Sequence, residues 1–304
     1  MHFFLSTHSY HERRGEDREL QDNHKEAKFS NNNPLTIIKG LVVGGTMLVP
    51  GVSGGSMAII LGIYDDLIYS VSSFMKHKGA SLRFLILFSA GGILGMFLLS
   101  RPILYLLDEF TMPTLYFFMG AVIGSVPMIF SKSELKKFSI RGLFYVIAGI
   151  AVVVAISFIP ASGSESSLDA DLTGMLFLAL AGFVAAIALV LPGISVSYLL
   201  LIMGLYDETV TAISQVYMPF LLPLGIGLIL GIVLTTKILE KAMTEFPQPT
   251  YLMILGFVLG SLAEVFPGIP AGMETISCLI ALAAGTGIIP VSYTHLTLPT
   301  KRIV

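Results

Sequence analysis

The chain has little charge, a single cysteine and no tryptophan. Only 12% of its 304 residues are charged and 54% are hydrophobic, whereas charged residues make up about a quarter of a soluble domain. The mean hydropathy of +0.83 is typical of a polytopic membrane protein. One cysteine, Cys278, excludes an intramolecular disulfide and a cysteine-based metal cluster. The net charge of −2 does not indicate a nucleic-acid partner.

Both ends of the chain differ from its apolar body. Residues 1–33 are charged and lack the apolar segment of a signal peptide, so we predict a polar disordered tail. From residue 291 the sequence VSYTHLTLPTKRIV loses the apolar pattern and resembles a translated sequencing adapter. We therefore interpret residues 291–304 as an atypical tail and a candidate sequencing artefact.

The apolar body contains an internal repeat. Residues 40–66 align without gaps with residues 182–208, so that LVPGVSGGSMAIILGIYDD matches VLPGISVSYLLLIMGLYDE. Proline, glycine, serine, tyrosine and aspartate recur at fixed offsets, and a second match further on includes Glu109 with Glu245 and Gly120 with Gly256. These shared residues predict a duplication. Its parts are a first membrane repeat (34–160), a polar external linker (161–173) and a second membrane repeat (174–290).

We predict an all-α polytopic membrane protein. Each half consists of one motif segment, which contains the Pro-Gly pair, followed by about three apolar crossings. The predicted crossings are 83–107, 114–131 and 142–160 in the first half, and 218–240, 250–266 and 274–290 in the second.

The motif segments either cross the membrane as kinked helices or re-enter it as hairpins. The uncharged stretch between Lys39 and Asp65 is long enough for one crossing, and two arms of about 16 Å would equally form a hairpin. The distribution of positive charge favours hairpins with a cytoplasmic N-terminus, because only Arg101 then lies outside. The cations placed inside are Lys76, Lys78, Arg83, Lys132, Lys136, Lys137, Arg141, Lys237 and Lys241. Hairpins also leave each half with an odd number of crossings, which predicts an inverted repeat of the kind found in secondary transporters.

The hairpin tips are candidate anion sites. We expect Pro50 and Pro192 to end one short helix and glycines to permit the turn. The amides that begin the next helix, together with serine hydroxyls, favour an anion. The residues of the predicted site are Pro50, Gly51, Ser53, Gly54, Gly55 and Ser56 in the first tip and Pro192, Gly193, Ser195 and Ser197 in the second. The alternative is that proline and glycine only kink a packed transmembrane helix.

At these residues the chain resembles the PopT-type polyprenyl-phosphate transporters. The resemblance rests on VPGVSGGSMAIILGIYDDLI (49–68) and LPGISVSYLLLIMGLYDE (191–208) and covers the chain from about Leu35 to Pro290. It implies return of undecaprenyl phosphate, the lipid carrier of cell-envelope synthesis, from the outer to the inner leaflet of the cytoplasmic membrane. The second tip reads Ser-Val-Ser where the first reads Ser-Gly-Gly, so the two tips are not equivalent.

Charged residues near the apolar spans are further candidates. Arg101 and Lys237 occupy equivalent repeat positions and would either bind a phosphate head group or extend to the membrane interface. Acidic residues either couple transport to protons or sodium or simply end an apolar span. These are Asp65, Asp207, Glu109, Glu245 and Glu264.

Two other functions compete with lipid transport. An ion-coupled transporter of another anion would use the same broken helices. A lipid phosphatase usually needs a histidine or cysteine nucleophile or a set of metal-binding carboxylates. All six histidines lie in the tails or one loop and Cys278 has no predicted partner base, so we expect no enzyme, no cofactor and no metal site. The histidines are His2, His8, His11, His24, His77 and His295.

Overall fold

The computed structural model describes residues 33–133, 140–159 and 172–296, and all elements within these ranges are helices. The predicted first tail and nearly all of the predicted linker lie outside the described residues. The first half contains α1 (Asn33–Thr46), α2 (Gly54–Ile60), α3 (Tyr64–Ser72), α4 (Lys78–Glu109), α5 (Thr111–Lys132) and α6 (Ile140–Ser157). The second half contains α7 (Leu172–Val190), α8 (Val196–Ile202), α9 (Tyr206–Gln215), α10 (Met218–Glu245), α11 (Pro247–Gly260), α12 (Leu262–Val265) and α13 (Glu274–Leu296).

Six helical segments in the described ranges are long and apolar enough to cross a membrane. They are α4, α5, α6, α7, α10 and α11 with its continuation α12. A seventh crossing is added if α8 and α9, which are bent by 112° at the break between them, form one span. The prediction of an all-helical polytopic membrane protein is therefore confirmed.

The long helices associate in four pairs. The most extensive contacts join α1 to α4, α7 to α10, α5 to α13 and α6 to α11. The first two pairs each lie within one half of the chain. The other two join the halves, because α6 packs on a helix of the second half and α13 packs on a helix of the first. The two halves consequently form one interlocked bundle.

Glycines make these pairings close. A Cβ atom added to Gly227 of α10 would lie 1.8 Å from the carbonyl oxygen of Ala179 in α7, and one added to Gly95 of α4 would lie 2.0 Å from that of Leu41 in α1. No side chain fits at either position without moving the helix backbone. Since apolar side chains gain little by leaving lipid, close backbone contact is a principal source of attraction between transmembrane helices.

The helices that precede the motif turns differ from the predicted short arms. The first ends at Thr46 and the second at Val190, so both stop before the motif prolines. A proline disfavours helical conformation in the residue before it and cannot continue the hydrogen-bond ladder. Helix α7 has 19 residues and is about 28 Å long. In the second half the first arm therefore has the length of a full crossing, where the sequence predicted about half of one.

Each motif contains a second break that the sequence analysis did not predict. It lies at Gly62 between α2 and α3, and at Gly204 between α8 and α9. Both glycines have positive φ, +64° and +69°, a conformation that ends helices and favours glycine. In both breaks the amide after the glycine donates to a carbonyl five residues back, from Ile63 to Ala58 and from Leu205 to Leu200. This glycine recurs in both motif sequences, and its recurrence was the signal from which the second break could have been predicted.

A glycine substitution tests the close packing of α7 on α10. Gly227→Leu should lower the free energy of unfolding by about 1–3 kcal/mol, since its side chain meets backbone atoms that have no room to yield. Gly225→Leu is the matched control, because a Cβ at Gly225 meets nothing within 4 Å. Thermal unfolding in detergent is measurable with a thiol-reactive dye, since the single cysteine is buried in the folded protein. Equal melting temperatures for both variants would contradict this packing.

Candidate functional site

The two motif turns contact each other. The Gly193 amide donates a hydrogen bond to Ser53 Oγ at 3.0 Å. A Cβ atom added to Gly55 would lie 3.1 Å from Cα of Pro192. Gly51 and Gly193 have nearly the same positive φ, +78° and +80°, so both turns require glycine at this point. The residues predicted as two hairpin tips therefore form one site.

The serine hydroxyls of the turns cap the helices that follow. Ser53 is the N-cap of α2 and accepts from the Ser56 amide at 3.1 Å. Ser195 is the N-cap of α8 and accepts from the Tyr198 amide at 3.2 Å. Ser53 Oγ also lies 2.8 Å from Ser56 Oγ, which is buried. Ser53 thus holds the two turns together in addition to any contact with a ligand.

Four amides at the starts of the two short helices keep free N–H groups. These belong to Gly54 and Gly55 of α2 and to Val196 and Ser197 of α8. The first positions of a helix have no intrahelical acceptor, and none of the four amides has a hydrogen-bond partner among the described residues. All four residues line the same cavity. The cavity lining consequently includes residues of both halves whose amides have no partner among the described residues.

This cavity has a volume of about 570 Å³ and lies between the two motif turns. Most of the predicted site residues line it, while three are buried beside it. The lining includes Pro50, Gly51, Ser53, Gly54, Gly55, Ser195 and Ser197, and the three buried residues are Ser56, Pro192 and Gly193. Its apolar wall is formed largely by Met47, Leu189, Leu201 and Tyr206.

The predicted cationic residues do not reach this cavity. Arg101 lies on α4 and Lys237 on α10, both side chains are exposed, and neither residue belongs to the described lining. Each is a long side chain on the outer surface of a membrane-spanning helix. This position fits the alternative in which the charged end extends towards the interface.

The acidic candidates lie at different places. Asp207 lies in the first turn of α9 and is exposed, and Glu109 and Glu245 are exposed at the ends of α4 and α10. Glu264 lies beside the first motif turn: its Oε1 accepts from Ser157 Oγ at 3.1 Å, and its carbonyl oxygen is 3.0 Å from a Cβ built on Gly51. Asp65 belongs to a second cluster.

In this second cluster Asp65 Oδ2 accepts from Lys132 Nζ at 2.5 Å and from the Tyr251 hydroxyl at 3.2 Å. The Lys132 ammonium also lies 5.7 Å from the centre of the Tyr251 ring, which is within the range of a cation–π interaction. The three residues line a separate cavity of about 460 Å³ and connect α3 with α5 and α11. The sequence predicts Lys132 only as one of the cytoplasmic cations and does not indicate Tyr251. No pattern in the sequence shows that these two residues meet.

Among the described residues, no group of three or more His, Cys, Asp or Glu side chains is arranged to hold a metal ion.

A family profile and two individual proteins match the chain, and their descriptions name the same class of lipid. A profile of the VCA0040-like family, described as undecaprenyl phosphate translocase-like, matches residues 43–279. The chain is 38% identical to a polyprenyl-phosphate transporter of Staphylococcus aureus over 249 residues, which cover 79% of this chain and 88% of that protein. It is 30% identical to a polyprenyl-phosphate transporter of Vibrio cholerae over 246 residues, 76% of this chain and 77% of that protein. No solved structure gives a significant match.

The capping serines provide a test of the contact between the turns. Ser53→Ala removes the acceptor of two amides, one of them in the other half of the chain, whereas Ser195→Ala removes the acceptor of one. Each buried amide left unpaired costs about 1–3 kcal/mol. We expect Ser53→Ala to lower the melting temperature in detergent more than Ser195→Ala does. Equal losses would show that the bond between the halves contributes little.

Proposed function

Because the chain belongs to the undecaprenyl phosphate translocase-like family, we propose that it transports a polyprenyl phosphate across the cytoplasmic membrane and so recycles the carrier lipid of cell-envelope synthesis. One observation carries this proposal: the two motif turns meet at one cavity, where each contributes two amides without a partner among the described residues. Both similar proteins are named as transporters, which supports transport and not an enzymatic reaction as the proposed function.

The free amides support a phosphate head group as the ligand. Backbone N–H groups that converge on a concavity bind anions, and a phosphate offers several acceptor oxygens to them. The four amides come from both halves, so a single head group would bridge them. The described lining contains no lysine or arginine. Amides and serine hydroxyls would therefore replace the hydration of the phosphate.

The apolar wall supports a lipid as the molecule that carries this head group. Met47 and Leu189 line the cavity and are both 41% exposed. The cavity is thus open at an apolar edge of a protein whose helices cross the membrane. A prenyl chain extending over this edge would stay in hydrocarbon while only the head group leaves water, which avoids the cost of moving the charge through lipid.

We also propose that residues 34–160 and 174–290 are inverted repeats, each with a re-entrant motif, and that the N-terminus is cytoplasmic. The matching glycine turns, the matching helix pairs and the exchange of α6 and α13 between the halves support a two-fold relation. The excess of lysine and arginine in the loops assigned to the cytoplasm supports the orientation.

A cavity-filling substitution tests the site. Gly54→Leu should abolish transport of polyprenyl phosphate in proteoliposomes, because its side chain would occupy the space in front of the free amides. Gly54→Ala is the matched control and should retain most of the transport. The nearest atom to its Cβ, at 2.9 Å, is the sulfur of the flexible Met47 side chain.

The same assay separates the competing functions. Uptake of inorganic phosphate without any prenyl lipid would indicate a transporter of a soluble anion. Release of phosphate from undecaprenyl pyrophosphate by purified protein would indicate a hydrolase. Normal transport by a correctly inserted Gly54→Leu variant would show that the head group binds elsewhere.

A further inference from the structure

The two motifs have the same backbone but different surroundings. Their turns, capping serines and glycine breaks correspond residue by residue, and the residues after the breaks, Ile63 and Leu205, are both buried. Yet α2 buries five of its seven residues, whereas α8 buries none. Two equivalent parts of a duplicated chain are therefore in different states.

The cavity reflects this difference. Tyr198, Leu201 and Tyr206 of the second motif line it, and Leu201 and Tyr206 are 40% and 38% exposed. The residues aligned with them in the first motif do not line it and are buried. These are Ser56, Ile59 and Tyr64, exposed by 2%, 6% and 3%. The cavity thus extends along α8 and α9, but it reaches only the first two residues of α2 and no residue of α3.

A tyrosine hydrogen bond closes the α2–α3 side. The Tyr64 hydroxyl donates to the carbonyl oxygen of Val190 at 2.7 Å, and this bond joins the first motif to the end of α7. The residues aligned with this pair are Tyr206 and Leu48. Both line the open cavity, and the Tyr206 hydroxyl has no hydrogen-bond partner among the described residues. In the second motif the equivalent hydrogen bond, from the Tyr206 hydroxyl to the Leu48 carbonyl, is therefore not formed.

The Asp65–Lys132–Tyr251 cluster strengthens the same side. It begins one residue after Tyr64 and ties α3 to α5 and α11. In the second half Asp207 is exposed, and the residues aligned with Lys132 and Tyr251 are Gly268 and Leu115. Glycine has no side chain and leucine has no polar group, so neither residue forms an ion pair or donates a side-chain hydrogen bond to Asp207. The extra contacts hold only the α2–α3 side.

From these observations we infer that Tyr64, Lys132 and Tyr251 form a gate on the α2–α3 side of the transport path. The path opens there when Tyr64 releases the Val190 carbonyl and the Lys132 contacts to Asp65 and Tyr251 separate. Tyr206 then donates to the Leu48 carbonyl and closes the α8–α9 side. The two states exchange the surroundings of equivalent motifs, as alternating access in a duplicated transporter requires. This inference rests on the proposed transport function.

Thiol labelling from the two membrane faces tests the gate. In a Cys278→Ser background, Leu201→Cys should react with a membrane-impermeant reagent from one face, and Ile59→Cys should be protected from both. Adding Tyr64→Phe or Lys132→Met removes a contact that holds the gate. Loss of one such hydrogen bond should raise labelling at position 59 about fivefold and lower it at position 201.

Two variants serve as controls, and a third tests the opposite state. Lys132→Arg keeps a positive charge near Asp65 and should restore protection at position 59. Tyr105→Phe changes an exposed tyrosine of α4 far along the chain from the gate and should leave both labelling rates unchanged. Tyr206→Phe should leave the labelling pattern unchanged but slow transport, because only the opposite state uses its hydroxyl.

The outcomes are distinct. Opposite changes at positions 59 and 201 support the gate. Unchanged labelling in both Tyr64→Phe and Lys132→Met overturns it, and so does a rise at both positions, which indicates loosening without exchange. Normal transport by Tyr206→Phe also contradicts it. If labelling exchanges but the reconstituted protein transports no polyprenyl phosphate, the gate stands and the proposed substrate is wrong.

Discussion

The hydrogen-bond requirement of backbone inside a membrane protein controls this structure. Every amide and carbonyl that leaves a helix at membrane depth needs a partner from protein or from a polar cavity. The chain leaves helical structure at two equivalent turns. Hydrogen bonds within and between these turns satisfy part of this requirement. Ser53 accepts an amide from its own helix and the Gly193 amide from the other half. The four amides that no described residue satisfies belong to residues that line the cavity. The broken backbone therefore places unpaired donors at the cavity in which we propose that a phosphate binds.

Glycines elsewhere in the bundle allow the helices to pack closely enough for this arrangement. Direct backbone contact at Gly95 and Gly227 holds α1 and α7, the helices that lead into the two motif turns. The exchange of α6 and α13 fixes one half against the other. A loose bundle would let water or lipid separate the turns, and the amides would no longer converge. Close packing of helices and binding at the turns thus depend on the same small residues.

Much of this arrangement could be predicted from the sequence, because breaks in apolar helices require specific residues. The repeated Pro-Gly and serine positions indicated where the helices would stop and which residues would line a site. The sequence did not show how far the helices extend before the turns, since α7 has 19 residues where the pattern predicts an arm of about half a crossing. For Arg101 and Lys237 the sequence left head-group binding and extension to the interface open, and the structure places both side chains exposed and outside the described cavity lining. The Lys132–Asp65–Tyr251 contact joins three distant segments, so no local pattern could reveal it.

The difference between the two motifs connects this architecture with transport. Two motifs in identical surroundings would present a symmetric cavity, whereas this cavity extends along α8 and α9 and reaches only the first residues of α2. The central claim remains the binding of a lipid phosphate by the amides between the turns. A structure of the protein with bound polyprenyl phosphate tests it most directly. The account predicts phosphate oxygens within about 3 Å of the amides of Gly54, Gly55, Val196 and Ser197. A head group bound beside Arg101 or Lys237, away from the turns, would contradict it.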